Sequence, residues 1–82
     1  LKLDKNEKYI ADSKINKTEI LKFIDEIPYK YSKIIKLYYY GNLSTKEISK
    51  VIFISESLVR KRLERGRNLL RKILEEKENE YR

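Results

Sequence analysis

Eighty-two residues make one small domain, a size that buries only ~60% of the unfolded surface and leaves a modest core. The chain has neither cysteine nor histidine, which excludes disulfides, thiolate metal sites and the usual general base at neutral pH. A net charge of +7, from 20 basic against 13 acidic residues, asks for an anionic partner, nucleic acid foremost, and neither enzyme activity nor a cofactor is expected.

Charged and hydrophobic residues each make up 40% of the chain, the balance of a folded helical domain rather than a disordered one. No apolar run approaches the ~20 residues of a membrane span and no signal-peptide pattern is present, so a cytoplasmic location and no membrane contact are expected. The chain opens on Leu1 rather than Met, the start expected of a piece of something longer. Its basic charge is unevenly distributed. The first 59 residues hold eleven lysines and no arginine, whereas Arg60, Arg62, Arg65, Arg67, Arg71 and Arg82 all follow. Lysine serves as a solvated positive charge, but the planar arginine fork is what two-pronged contact with guanine edges or phosphates requires.

In chain order, residues 1–15 are polar, lysine-rich and weakly patterned, and read as an interdomain linker, partly disordered, with some helix around Glu7 to Asp12. The domain proper is expected over 16–78 and a charged tail over 79–82. Asn16 with Glu19 forms a capping-box pattern, after which Ile20, Leu21, Phe23, Ile24 and Ile27 make an apolar face that Pro28 ends. A second helix runs to Tyr40 with Ile34, Ile35, Leu37 and Tyr38 inward, and Gly41 and Asn42 stop it. Five tyrosines crowd this helix, so some must be exposed. Ser44 with Glu47 opens a third helix with Ile48, Val51 and Ile52 inward. Ser55 caps a fourth, whose apolar positions Leu58, Val59, Leu63, Leu70, Ile73 and Leu74 recur at helical spacing to about Glu78. The spacing predicts an all-α fold of four to five helices.

The stretch Leu43 to Leu63 reads as a helix-turn-helix, two capped helices across a tight turn, with Ile48, Ile52, Ile54, Val59 and Leu63 setting the crossing. Its second helix then presents Ser57, Arg60, Lys61, Glu64 and Arg65 outward, a face suited to the major groove. Ser44, Thr45, Lys46 and Ser55 sit at helix starts, where free N–H groups and the positive dipole end favour phosphate oxygens.

These residues carry a family resemblance. Ile27-Pro28, Ile34, Leu37-Tyr38, Gly41 and Ser44-x-x-Glu47-Ile48 are followed by Ile54-Ser55-x-x-x-Val59-Arg60-x-Arg62-Leu63-x-Arg65-Gly66-Arg67-x-x-Leu70-Arg71. Over Ile20 to Leu74 the chain resembles region 4, the C-terminal domain, of extracytoplasmic-function sigma factors of bacterial RNA polymerase. The resemblance implies sequence-specific recognition of the promoter −35 element, docking on the flap of the polymerase β subunit, and capture by an anti-sigma factor. By position, Arg60, Lys61, Glu64 and Arg65 match residues that meet −35 bases or nearby backbone. Arg62 and Arg67 match basic positions assigned to phosphates or to intramolecular pairing. The chain departs from the pattern at Ser49 for an alanine, Phe53 for the turn glycine, Ser32 for an arginine, and Leu58 for a frequent threonine, which is expected to pack inward.

Two other readings share the same residues. Leu43-Ser44-x-Lys46-Glu47-Ile48 and Phe53-Ile54-Ser55-Glu56 also resemble the DNA-binding domain of LuxR-type response regulators. That family breaks the helix near Arg65 to Asn68, where the sigma family continues it. A protein-interaction module without DNA binding would use the exposed tyrosines and a groove along Leu69, Leu70, Ile73 and Leu74.

Overall fold

The computed structural model describes residues 5–80. Leu1 to Asp4 of the expected linker and Tyr81 and Arg82 of the expected charged tail lie outside the described residues. Among the described residues the chain is all-helical: α1 (Lys5–Asp12), α2 (Lys17–Ile24), α3 (Tyr29–Tyr39), α4 (Thr45–Ile52) and α5 (Glu56–Glu80). The helix ends follow local chemistry. Asn16 caps α2 by accepting from the Thr18 N–H at 2.7 Å, so the cap is closed without the reciprocal contact expected from Glu19. Ser44 and Glu47 do form the full capping box on α4, and Ser55 Oγ accepts from the Leu58 N–H at 3.1 Å to cap α5.

The exit from α3 differs in detail from expectation. Asn42, not Gly41, takes the left-handed conformation, with φ 56°. Gly41 is required for close approach instead, since a Cβ there would lie 2.7 Å from the Leu37 carbonyl oxygen.

All four shorter helices pack on α5. The core joins Ile20, Ile24, Ile27, Ile34, Ile35 and Ile48 to Val59, Leu63, Leu70 and Leu74. Gly66 is a notch rather than an interruption. A Cβ there would meet Ile35 Cδ1 at 2.6 Å and Tyr31 Cβ at 3.3 Å, so the missing side chain lets α3 sit close against α5. Leu70 and Leu74 are fully buried in this core and Leu69 and Ile73 pack against it. The groove expected along these four residues is therefore filled by the domain itself. Val51 also departs from expectation, being 54% exposed. At ~100° per residue the covered side of α4 runs from Ile48 towards Ile52 and Ser49, and Val51 falls on the other flank of Ile48.

Residues 5–12, where the sequence suggests a linker with some helix, form α1 docked along the C-terminal half of α5. The Tyr9 hydroxyl donates to Glu78 Oε2 at 2.5 Å, and the Arg71 guanidinium lies over the Tyr9 ring at 4.9 Å. Burial, then the hydrogen bond and charge of Glu78, push the Tyr9 hydroxyl up to about 12. Glu7 meets Arg67 at 2.8 Å. These partners lie sixty or more residues away in the chain, which is why local patterning does not reveal them.

Candidate nucleic-acid interface

α4 and α5 form the helix-turn-helix, with Ile48, Val59 and Leu63 buried between them and Ile52 and Ile54 half-buried beside them. The turn works without glycine. Phe53 closes α4 in the left-handed region, at φ 59° and ψ 44°, and its N–H donates to the Ser49 carbonyl. The Phe53 ring is 91% exposed, so it takes no part in the core.

From Glu56 to Glu80 α5 is one uninterrupted helix. No break occurs near Arg65 to Asn68, the feature that separates a LuxR-type domain from a sigma-type one. With Val59, Leu63, Gly66 and Leu70 inward, the opposite face carries Ser57, Arg60, Lys61, Glu64 and Arg65, all exposed. Leu58 is half-buried, on the packing side of this face. The structure thus gathers all five expected base-reading residues on one open surface.

The expected phosphate contacts divide. Ser44, Lys46 and Ser55 are exposed at the starts of α4 and α5, and Thr45 and Arg62 are half-buried. The Ser44 and Ser55 hydroxyl oxygens are occupied as caps, accepting from Glu47 N–H and Leu58 N–H. Hydrogen bonds from the Ser44 backbone and side chain hold the Glu47 carboxyl below its usual range, so the capping box favours its ionised form. Arg67 is turned inward and only 6% exposed. Its Nε donates to the Tyr39 hydroxyl at 2.7 Å, its Nη1 meets Glu7, and its guanidinium lies 5.3 Å from the Tyr38 ring centroid and 5.7 Å from that of Tyr39. Of the two roles open to Arg67, intramolecular pairing is the one realised. It joins α1, α3 and α5. Ser32 is likewise buried and bonded to the Tyr29 carbonyl, so nothing at that position reaches a ligand.

Two features of this surface were not singled out in the sequence. Glu56, in the first turn of α5, accepts from the Thr45 hydroxyl and from Arg60 Nη2, each at 2.9 Å to the same oxygen. The i, i+4 spacing of Glu56 and Arg60 was a readable signal for half of this pairing. The start of α3 also borders the basic face. Burial pushes the Tyr31 hydroxyl up, but the nearby Arg65 and Lys30 outweigh it and leave the group below its ordinary value. Lys30 Nζ stands 5.0 Å from the Tyr31 ring centroid. The contact across α3 and α5 depends on the Gly66 notch and had no sequence signal.

Among the described residues no group of acidic, cysteine or histidine side chains could hold a metal ion, and no helix is long and apolar enough to cross a membrane. The surface offers exposed cations and helix starts instead, chemistry that suits a polyanion.

No curated protein and no solved structure matches the chain. Residues 17–70 match the family model described as sigma-70, region 4, a span that runs from the first residue of α2 to the buried Leu70 of α5 and includes the whole helix-turn-helix.

Proposed function

The chain belongs to the sigma-70 region 4 family, and from that premise we propose that it recognises the −35 element of promoters by placing the first half of α5 in the major groove. Domains of this family bind promoter DNA as parts of sigma factors and are not an enzyme family. A B-DNA major groove ~12 Å wide admits an α-helix. Arg60, Lys61, Glu64 and Arg65 face the base edges, with Ser57 at the entry. Lys46 and the N-terminal ends of α4 and α5, at Ser44, Thr45 and Ser55, meet phosphates, and Arg62 joins them from the flank. Arg67 has no part in this contact.

The observation that carries the reading is the two-sidedness of α5, whose apolar side is sealed against α3 and α4 while its guanidinium-bearing side is open. Within a sigma factor of extracytoplasmic-function type, the same domain docks on the β flap of RNA polymerase and is open to an anti-sigma factor, and it works in the cytoplasm to direct initiation. α1 rests on the domain along α5.

Selection of bound sequences from random duplex DNA, with and without a polymerase flap fragment, tests this proposal. Enrichment of one sequence class that the flap fragment strengthens supports it. Equal recovery of all sequences under both conditions refutes it.

A further inference from the structure

Glu56 is an acidic residue at the junction of α4 and α5, beside helix starts that suit phosphate. Its side chain is 36% exposed and that of Arg60 67% exposed. An exposed i, i+4 pair of this kind adds little to folding stability, and a carboxylate in the first turn of α5 favours the helix end modestly, but neither accounts for the contact Glu56 makes with α4. A single oxygen, Oε2, accepts both from the Thr45 hydroxyl at the start of α4 and from Arg60 Nη2 one turn along α5.

We propose that Glu56 is a positioning residue for sequence discrimination, holding the Arg60 guanidinium in a fixed orientation and locking it to the N-terminal end of α4. The inference rests on the promoter-reading function proposed above. Arg60 lies on an open face where no packing selects its rotamer. A guanidinium has five donors in a rigid fork. One is occupied by Glu56, and those remaining keep the two-pronged geometry that a guanine edge accepts. Fixing the side chain before binding removes part of the ordering that would otherwise accompany contact. Thr45 gives its hydroxyl proton to the same oxygen, so it meets a phosphate through its backbone N–H. That fixes the spacing between the phosphate-binding helix start and the base-reading side chain. The carboxylate also repels DNA in general. Glu56 thereby lowers affinity for every sequence while raising the contrast between sequences.

The test measures binding of the 82-residue chain to its selected duplex and to a scrambled one. Glu56→Ala is expected to lower the ratio of the two affinities by roughly three- to tenfold, with binding to scrambled DNA unchanged or stronger. Glu56→Gln, which keeps an acceptor oxygen but loses the charge, should tighten binding to both duplexes and restore most of the ratio. In an Arg60→Ala background, Glu56→Ala should change the ratio no further. Far-UV circular dichroism checks that each variant is folded. A ratio unchanged in Glu56→Ala, or a loss of equal size with and without Arg60, overturns the proposal. If the unmodified chain binds both duplexes alike, the promoter reading itself fails and takes this inference with it.

Discussion

Phe53 offers a prediction whose size follows from the backbone alone. It occupies the left-handed region at φ 59° and ψ 44°, where a Cβ crowds the following carbonyl at a cost of roughly 1–2 kcal/mol for an L-residue. Its ring is 91% exposed, so replacing it removes almost no packing. Glycine relieves the crowding but gains freedom in the unfolded chain, which offsets ~0.5–1 kcal/mol of that relief. The N–H bond to the Ser49 carbonyl survives the change. Phe53→Gly should therefore stabilise the domain by about 0.5–1 kcal/mol, or roughly 4 °C in Tm for a chain of this size. Phe53→Ala keeps both the Cβ and the positive φ and should be near neutral. Thermal and urea melts of the three proteins decide the matter. If the glycine variant is no more stable than the alanine variant, conformational strain is not what the turn carries.

Three further outcomes follow from other parts of the molecule. Arg67→Ala should destabilise the fold by about 2–3 kcal/mol in urea unfolding, less than the loss of a fully buried pair because Glu7 keeps some solvent contact; a change under ~0.5 kcal/mol would contradict its role as the joint between α1, α3 and α5. The folded state holds the Tyr9 proton more tightly than the unfolded chain, so that bond contributes fully below pH 10 and is lost as pH rises to about 12. The stability difference between the natural chain and Tyr9→Phe should vanish over that interval, and a difference that persists above it would refute the Tyr9–Glu78 tie. Neutralising about five phosphates should make log K for duplex DNA fall with log[salt] at a slope of roughly −4 to −5; a flat dependence in titrations across salt would leave only the protein-interaction reading.

The helix-turn-helix was legible because its signals are local. Ser44 with Glu47, Ser55 with the apolar spacing after it, and the uninterrupted run through Gly66 each concern neighbours in sequence. What stayed hidden depends on distant partners. Tyr9 and Glu7 look like isolated residues in a polar segment until α5 is folded beside them. Arg67 resembles its exposed neighbours until Tyr38 and Tyr39 of α3 surround it. Gly66 reads as a weak point in a helix, and only the approach of Ile35 shows it as a packing requirement. Val51 was misplaced by a single step of helical phase. The short α4 has its covered side fixed by α3 and α5, which its own eight residues do not specify. The cations on the outward side of α5 follow from its apolar phase, whereas the place of Glu56 depends on Thr45 of α4, a neighbour that the sequence of α5 alone does not reveal.

Affinity of the Arg60→Ala variant, measured beside the unmodified chain on a selected duplex and on a scrambled one, bears most directly on the claim that α5 reads bases. A loss of ~1–3 kcal/mol on the selected duplex, with little change on the scrambled one, is expected of an arginine that contacts a base edge. An equal loss on both would reduce Arg60 to a phosphate contact, and no loss on either would remove the outward face of α5 from the DNA.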